Sequence, residues 1–275
     1  MTSVTVEGGL AYATAGGVAL GVDLYRAPEA DAPVVLYVHG GGWRTGSRAD
    51  DGSTRLAPLA AYGVTVASVD YRLVPGARFP DQVHDLKGAV RWLRAHGREL
   101  GLRTERLGIW GASAGAYLGS LLALTADDSG FEGTVGGNLE ESSAVQAVVH
   151  WFGQVDLLAA GSRTDVEARL LPFAFEAGLL GVGSTAEAAD RARDVGLLSR
   201  VSAGAPPFLL VHGDRDHVVA PSESQALHDA LSRAGADTTL MVLGGAGHEG
   251  PEFNRPETLA MTAAWLRSTL AASGA

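Results

Sequence analysis

The fold is decided by the stretch LGIWGASAG at residues 107–115. Its first four residues are mostly apolar, as in a strand buried on both faces of a sheet. The other five have the pattern G-x-S-x-G, with Ser113 at the centre. In that pattern the serine lies on a strained turn between a strand and a helix, and its hydroxyl projects from the sheet. Because small residues follow over 116–126, the stretch predicts a strand–turn–helix unit that presents Ser113 as a nucleophile.

Short apolar runs alternate with helix-patterned segments along the whole chain. The runs predict strands over 34–38, 64–69, 107–110, 145–149, 208–211 and 239–243. Apolar residues at three- and four-residue spacing predict helices over 81–96, 222–233 and 257–270. This alternation is typical of a mostly parallel sheet flanked by helices. Such sheets bind ligands at the carboxyl ends of their strands, so the residues that follow each strand are candidates for chemistry.

Composition excludes several classes of protein. The 275 residues are 46% apolar and 19% charged, which fits one globular α/β domain. A net charge of −10 without a basic run excludes a nucleic-acid partner, and the absence of cysteine excludes thiolate chemistry. Residues 107–126 carry no charge, but four glycines interrupt them, so we expect no membrane span. The first residues have neither the basic nor the apolar part of a signal peptide, which predicts a cytoplasmic location.

A second glycine-rich motif, HGGGW at residues 39–43, directly follows the predicted strand over 34–38. Three consecutive glycines let a backbone loop approach a reacting centre and point N–H groups at a developing oxyanion. The candidate donors are the N–H groups of Gly41, Gly42 and Ala114. His39 precedes the serine in the chain and is expected to order the loop rather than to act as a base.

A serine nucleophile needs a basic histidine and an acid that orients it. Of the eight histidines, His248 lies in a glycine-rich loop just after the last predicted strand, and it is the candidate base. Most of the others lie in or beside predicted helices and strands, where a structural role is usual. Asp214 and Asp216 both follow the strand over 208–211. Spacing alone does not separate these two candidate acids.

The chain resembles the α/β hydrolases, and within them the hormone-sensitive-lipase-like carboxylesterases. The matching pieces are His39 to Trp43, Asp70-Tyr71-Arg72-Leu73, Phe79-Pro80 with Asp85, Gly111 to Gly115, Asp216 to Val219, and His248. The form of the serine motif is closest to the bacterial feruloyl-esterase-like branch, although Ala116-Tyr117 stand where that branch often has Gly-His. The resemblance implies that Asp216 is the acid of the triad, because Asp-x-x-Val marks that residue in the family. Asp214 is then expected to stabilise the turn.

The resemblance implies an α/β-hydrolase fold over a single domain, 1–275, without a large N-terminal cap, because only 38 residues precede His39. The long segment 152–204 contains Leu170, Leu171, Phe173, Phe175, Leu179 and Leu180. It could be a helix packed on the sheet or, in part, a small lid over a pocket.

These features predict a serine carboxylesterase that hydrolyses short-chain or aryl esters through an acyl-enzyme, without a cofactor or metal. The alternatives are an arylformamidase acting on N-formylkynurenine, a polymer-directed esterase (acetylxylan, feruloyl or polyester), and a non-catalytic ligand-binding α/β hydrolase. The expected partner is a small-molecule ester, and the oligomeric state stays open, with a homodimer among the options. Aromatic residues beside the motifs are the substrate-binding candidates: Trp43, Tyr71, Tyr117, Trp151 and Phe152.

Overall fold

A computed structural model describes residues 3–160 and 174–271 of the chain. They contain an eight-stranded sheet, with strands β1 (Thr5–Ala15), β2 (Val18–Arg26), β3 (Pro33–Val38), β4 (Thr65–Val69), β5 (Arg103–Ala112), β6 (Ala147–Trp151), β7 (Phe208–Gly213) and β8 (Thr238–Leu243). The α-helices are α1 (Ala57–Ala60), α2 (Asp81–His96), α3 (Ala114–Leu124), α4 (Leu157–Ala160), α5 (Phe175–Leu180), α6 (Ala189–Asp194), α7 (Pro221–Ala234) and α8 (Pro256–Leu270).

The strands follow the order β1-β2-β4-β3-β5-β6-β7-β8 across the sheet. The hairpin β1–β2 joins the sheet through antiparallel pairing of β2 with β4. Every other neighbouring pair is parallel. The loops that follow β3, β5, β6, β7 and β8 therefore leave the sheet at one edge, and all the candidate catalytic residues lie on these loops.

Strand β3 illustrates how the sheet is buried on both faces. Val34, Leu36 and Val38 pack into a core with helices α2, α3 and α7. The alternate residues, Val35 and Tyr37, pack into a second core with α1 and α8. Successive side chains of a strand point to opposite faces, so a continuous apolar run is what a doubly covered strand requires.

The predicted fold class is confirmed, and most predicted elements are present. Helix α2 has the predicted bounds, and the other predicted helices differ by one or two residues at their ends. Strand β6 begins at Ala147, two residues later than predicted. There the side-chain oxygen of Gln146 accepts the N–H of Leu107, 2.9 Å away, so this N–H does not pair with the backbone of the residues before β6.

The segment 152–204 is helical over much of its described length. Helix α5 contacts the loop before α2, where the carbonyl of Leu179 accepts the N–H of Phe79 at 3.3 Å. Leu170, Leu171 and Phe173 lie outside the described residues. Among the helices of the described ranges, none has the length and apolar character needed to cross a membrane.

Candidate active site

Ser113 lies at the sharp turn between β5, which ends at Ala112, and α3, which begins at Ala114. Its backbone has φ 52° and ψ −121°, a conformation that residues with a side chain rarely adopt. Strain of this kind costs about 1–3 kcal/mol and persists where surrounding structure enforces it, often at functional sites. The turn is therefore the strained element that the G-x-S-x-G pattern predicts.

The turn packs directly against the end of β3, and this close approach explains Gly115. A Cβ atom on Gly115 would overlap the carbonyl oxygen of Val38. A Cβ atom on Gly40, in the loop after β3, would lie 3.4 Å from Cβ of Ser113. The HGGGW loop thus passes immediately beside the serine.

A continuous chain of hydrogen bonds joins Ser113 to two other predicted site residues. The Nε2 atom of His248 is 3.0 Å from Oγ of Ser113. On the other side of the ring, Nδ1 is 2.7 Å from Oδ2 of Asp216. When Nδ1 donates its hydrogen to the carboxylate, Nε2 is left as an acceptor that faces the serine hydroxyl.

His248 lies in the loop after β8, and Asp214 ties this loop to the loop after β7. The N–H of Gly245 donates to Oδ1 of Asp214 at 2.6 Å, and the N–H of Arg215 donates to the carbonyl of Ala246 at 2.9 Å. Asp214 is exposed and accepts the N–H of Gly245, whereas the ring of His248 bonds to Asp216. The geometry therefore agrees with Asp214 as a turn residue.

Asp216 is buried, with 4% of its surface exposed, and four nitrogen atoms lie within 3.2 Å of its carboxylate oxygens. The N–H groups of Val218 and Val219 donate to Oδ1 at 2.8 and 2.9 Å. His248 and His212 contact Oδ2 at 2.7 and 3.2 Å. Burial alone would raise the pKa of this carboxyl, but the hydrogen bonds from His212 and His248 outweigh it and hold the pKa of Asp216 well below its usual range.

Three consecutive residues of the HGGGW loop have positive φ: Gly41 at 101°, Gly42 at 59° and Trp43 at 61°. No backbone acceptor among the described residues takes the N–H of Gly41 or Gly42. The N–H of Ala114 lies in the first turn of α3, where helical N–H groups have no partner within the helix. In the described part of the chain, no backbone bond is therefore found that would occupy the N–H groups of Gly41 and Gly42, and that of Ala114 has no partner within α3.

Two buried aromatic side chains, Trp43 and Tyr71, fix the position of the HGGGW loop. The indole N–H of Trp43 donates to the carbonyl of Ala114 at 3.1 Å, which ties the loop to α3. The hydroxyl of Tyr71 donates to the carbonyl of His39 at 3.1 Å, and its ring stacks on the imidazole of His39 with centroids 4.4 Å apart. His39 is buried and does not contact Ser113 or Asp216 through a hydrogen bond, in line with the predicted ordering role.

The five aromatic substrate-binding candidates are all buried, with at most 3% of their surface exposed. Besides Trp43 and Tyr71, Tyr117 donates its hydroxyl to the carbonyl of Val195 at 3.0 Å, and Trp151 packs edge-on against Trp110. Phe152 packs edge-on against the imidazole of His248, with centroids 4.9 Å apart. Sequence position beside a motif therefore does not show which way an aromatic ring faces.

Two contacts of the site were not predicted from the sequence. One is the 3.2 Å contact of His212 Nε2 with Oδ2 of Asp216, between residues four apart in the chain. The other joins Phe175 to the HGGGW loop: a Cβ atom on Gly42 would overlap the ring of Phe175. The sequence does carry a signal for the first contact, because His212 and Asp216 are four residues apart, at the end of β7 and in the loop that follows it. The second depends on the tertiary packing of α5, which no local pattern encodes.

Metal ligation has no support among residues 3–160 and 174–271. That part of the chain holds no group of three or more His, Asp or Glu side chains arranged to bind an ion. His150, a buried strand residue, instead contacts Oγ of Ser120 at 2.8 Å and the carbonyl of Gly153 at 3.1 Å.

The strand order, the strained serine turn and the loops gathered at one sheet edge define a protein of the α/β-hydrolase fold. The chain belongs to the BD-FAE family, whose model matches residues 22–231.

Curated relatives with similar sequences carry esterase names. Esterase LipC of Mycobacterium tuberculosis is 34% identical over 225 residues, which are 80% of this chain and 54% of that protein. Ethyl acetate hydrolase of Pseudomonas putida is 40% identical over 119 residues, 42% of this chain and 37% of that protein. The chain spans about half the length of the first of these relatives.

Solved structures match over nearly the whole chain. A truncated carbohydrate esterase from gut microbiota has a TM-score of 0.87 and 26% identity, with 98% of each chain covered. A propionate-bound thermophilic esterase, Est2 of Thermogutta terrifontis, has a TM-score of 0.75 and 26% identity, with 99% of this chain and 97% of that chain covered.

Proposed function

We propose that this protein is a carboxylic ester hydrolase with Ser113 as nucleophile, His248 as general base and Asp216 as orienting acid. The observation that carries the proposal is the hydrogen-bonded chain from Ser113 Oγ through both nitrogens of His248 to Asp216. Hydrolases that proceed through an acyl-enzyme need these three roles in this geometry. The esterase names of the relatives support the same reaction class.

In the proposed reaction, Ser113 Oγ attacks the ester carbonyl carbon while Nε2 of His248 takes the hydroxyl proton. The tetrahedral intermediate collapses, the bond to the alcohol breaks, and His248 returns the proton to the leaving alcohol oxygen. Water then attacks the acyl-enzyme with His248 again as base, which releases the carboxylic acid and restores Ser113. Asp216 stays ionised throughout and stabilises the imidazolium.

The oxyanion of each tetrahedral intermediate is proposed to accept hydrogen bonds from Gly41, Gly42 and Ala114. Their N–H groups need no reorganisation, since Trp43 holds the loop to α3 and the backbone conformation is already set. Preorganised donors stabilise the charge that develops in the transition state, and the loss of one such donor typically costs about 10²–10³ in kcat.

The aromatic side chains are proposed to shape the pocket chiefly by supporting its loops. Phe152 is proposed to hold the ring of His248 in place, because its own buried ring packs edge-on against that imidazole. We also propose that the described part of segment 152–204 acts as a partial lid, since Phe175 packs on Gly42 of the oxyanion loop.

Short-chain or aryl esters are the proposed substrates. Esters of carbohydrates are the second candidate, and the specific support is the close match in fold and length to the gut-microbiota carbohydrate esterase. Substrate class is a property of the pocket walls, which vary among proteins that share one fold.

The proposal is tested by turnover of p-nitrophenyl acetate, butyrate and octanoate, methyl ferulate, an acetylated xylo-oligosaccharide and N-formylkynurenine, with Ser113→Ala beside the wild type. We expect hydrolysis of at least one ester and a loss of about 10⁶ in kcat for Ser113→Ala. Preference for the acetylated oligosaccharide would favour the second candidate. Turnover of N-formylkynurenine alone would make the protein an amidase instead. Folded wild type that hydrolyses none of the esters would contradict the proposed activity.

A further inference from the structure

We propose that His212 is a positioning residue for the catalytic acid, so that Asp216 is held by two histidines rather than one. This inference rests on the proposed function, in which Asp216 orients His248. Oδ2 of Asp216 lies 2.7 Å from Nδ1 of His248 and 3.2 Å from Nε2 of His212. One carboxylate oxygen thus joins the two rings.

The fold fixes His212 in this position. It is fully buried on β7, and its side chain points to the same face as Phe208 and Leu210, toward α7. Nδ1 of the ring contacts Oγ of Ser224, in the first turn of α7, at 2.7 Å. Ser224 is itself fully buried, so this contact is shielded from water.

The contacts of the ring specify which nitrogen faces the acid as a donor. Nε2 of His212 also lies 3.0 Å from the carbonyl oxygen of Val219, which can only accept. Nε2 must therefore carry a hydrogen, which bonds to the carbonyl of Val219, and the same N–H lies 3.2 Å from Oδ2 of Asp216, where its partial positive charge faces the carboxylate. The hydroxyl of Ser224 forms a hydrogen bond with the other nitrogen, Nδ1, so each ring nitrogen of His212 has a polar partner.

The consequence for Asp216 is a carboxylate with all of its main acceptor positions occupied. Oδ1 is held by the N–H groups of Val218 and Val219. If His212 were removed, Oδ2 would contact only His248, and the negative charge of the carboxylate would act mainly on that one hydrogen bond. We infer that His212 fixes the plane of the carboxylate and limits how strongly Asp216 attracts a proton to His248.

Other polar groups surround His212 from each neighbouring element. Asp216 and, through it, His248 approach from the loops after β7 and β8. Glu223 of α7 and His150 of β6 are close enough to interact with it electrostatically. The carboxylate oxygen Oε2 of Glu223 accepts hydrogen bonds from the N–H groups of Val155 and Asp156, both at 2.8 Å.

The neighbouring strand provides a matched control. His150 of β6 contacts Ser120 of α3 through Nδ1 at 2.8 Å, as His212 contacts Ser224. Its Nε2, however, faces the carbonyl of Gly153 instead of a carboxylate. Ser224→Ala and Ser120→Ala therefore remove equivalent buried bonds, and only Ser224 is linked to Asp216.

The test measures kcat, KM and the pH dependence of kcat for His212→Leu, His212→Gln, Ser224→Ala and Ser120→Ala. The acid limb of that dependence is the range in which kcat falls as the pH is lowered. We expect His212→Leu to lose about ten-fold in kcat with KM within about two-fold, the loss that one charge-assisted hydrogen bond can account for. Its acid limb should move to higher pH, because Asp216 then attracts a proton to His248 more strongly. Gln at position 212 keeps an N–H donor and should restore most of kcat. Ser224→Ala should shift the limb in the same direction, and Ser120→Ala should not.

A spectroscopic measurement keeps this inference separate from the proposed activity. The hydrogen between His248 Nδ1 and Asp216 gives a downfield proton NMR signal that needs no substrate. We expect this signal to shift in folded Ser224→Ala and to stay in place in Ser120→Ala. If folded His212→Leu kept the wild-type pH profile and signal, or if both serine variants behaved alike, the role of His212 would be refuted. A wild type without esterase activity would instead refute the proposed function, while the NMR comparison would still test His212.

Discussion

Replacement of Asp216 by Asn changes the hydrogen-bond pattern on which the whole site depends. Oδ1 receives two backbone N–H groups, so the carbonyl oxygen of Asn must occupy that position. The amide NH₂ then takes the place of Oδ2, beside Nδ1 of His248 and Nε2 of His212, and the hydrogen of His212 keeps the carbonyl of Val219 as its acceptor. A donor there requires Nδ1 to accept, which moves the ring hydrogen to Nε2, 3.0 Å from Ser113 Oγ.

In that tautomer His248 cannot take the proton of Ser113. The expected loss is about 10⁴ in kcat, or about 5–6 kcal/mol of transition-state stabilisation, as for an equivalent change in a serine protease triad. The assay is steady-state hydrolysis of p-nitrophenyl butyrate at neutral pH. Urea unfolding of each variant establishes that the protein measured is folded, since Asp216 also contributes to stability above acidic pH through its lowered pKa.

Asp214→Asn is the matched control, because Asn keeps the oxygen that accepts the N–H of Gly245. Its side chain is exposed, so we expect activity within about three-fold of wild type. A larger loss for Asp214→Asn than for Asp216→Asn would refute the assignment of the acid. A loss below ten-fold in folded Asp216→Asn would refute the tautomer argument itself.

Three further predictions concern cooperation, packing and pH. The variant with both Ser113→Ala and His248→Ala should be little less active than either single variant, whereas additive losses in kcat would show that the two residues do not act as a unit. Gly115→Ala should lower the free energy of unfolding by more than about 3 kcal/mol, because its Cβ would overlap a carbonyl of β3, while Gly244→Ala, which has open space, should be nearly neutral in the same urea titration. Burial lowers the pKa of His150 to about 4, against about 6.5 in the unfolded chain. The unfolded state therefore binds more protons between these values, and stability should fall by about 3 kcal/mol from pH 6.5 to 4; a His150→Gln variant with the same loss would contradict this.

Much of the fold could be predicted because it depends on local periodicity. Helix α2 has apolar residues at helical spacing after Pro80, and its observed bounds match the prediction. The start of β6 could not be placed as well, because the side chain of Gln146 takes over the ladder bond of Leu107. Such a substitution of side chain for backbone leaves no trace in the apolar pattern.

The members of the site were predictable because each one follows a strand and carries a distinctive residue type. Ser113 and His248 lie 135 residues apart in the chain, yet the parallel sheet brings both to one edge. Spacing alone could not choose between Asp214 and Asp216, since both lie on the same turn and differ only in the direction of the side chain. The family resemblance favoured Asp216, the residue that contacts His248.

The packing contacts of the aromatic residues could not be predicted from the sequence. Trp43 follows three glycines and has a positive φ, and its buried ring packs edge-on against Tyr117 of α3 while its indole N–H donates to the carbonyl of Ala114. The contact between Phe175 and Gly42 joins segments more than 130 residues apart. Packing of this kind depends on the complete three-dimensional arrangement of the loops and the segment 152–204.

The central claim is that Ser113 forms a covalent acyl intermediate at the strained turn. The most direct measurement is mass spectrometry of the protein quenched during turnover of p-nitrophenyl butyrate, with mapping of the modified peptide. We predict one added acyl group on the peptide that contains residues 107–115, and none in Ser113→Ala. An acyl group on another residue, or undiminished turnover by Ser113→Ala, would contradict the account.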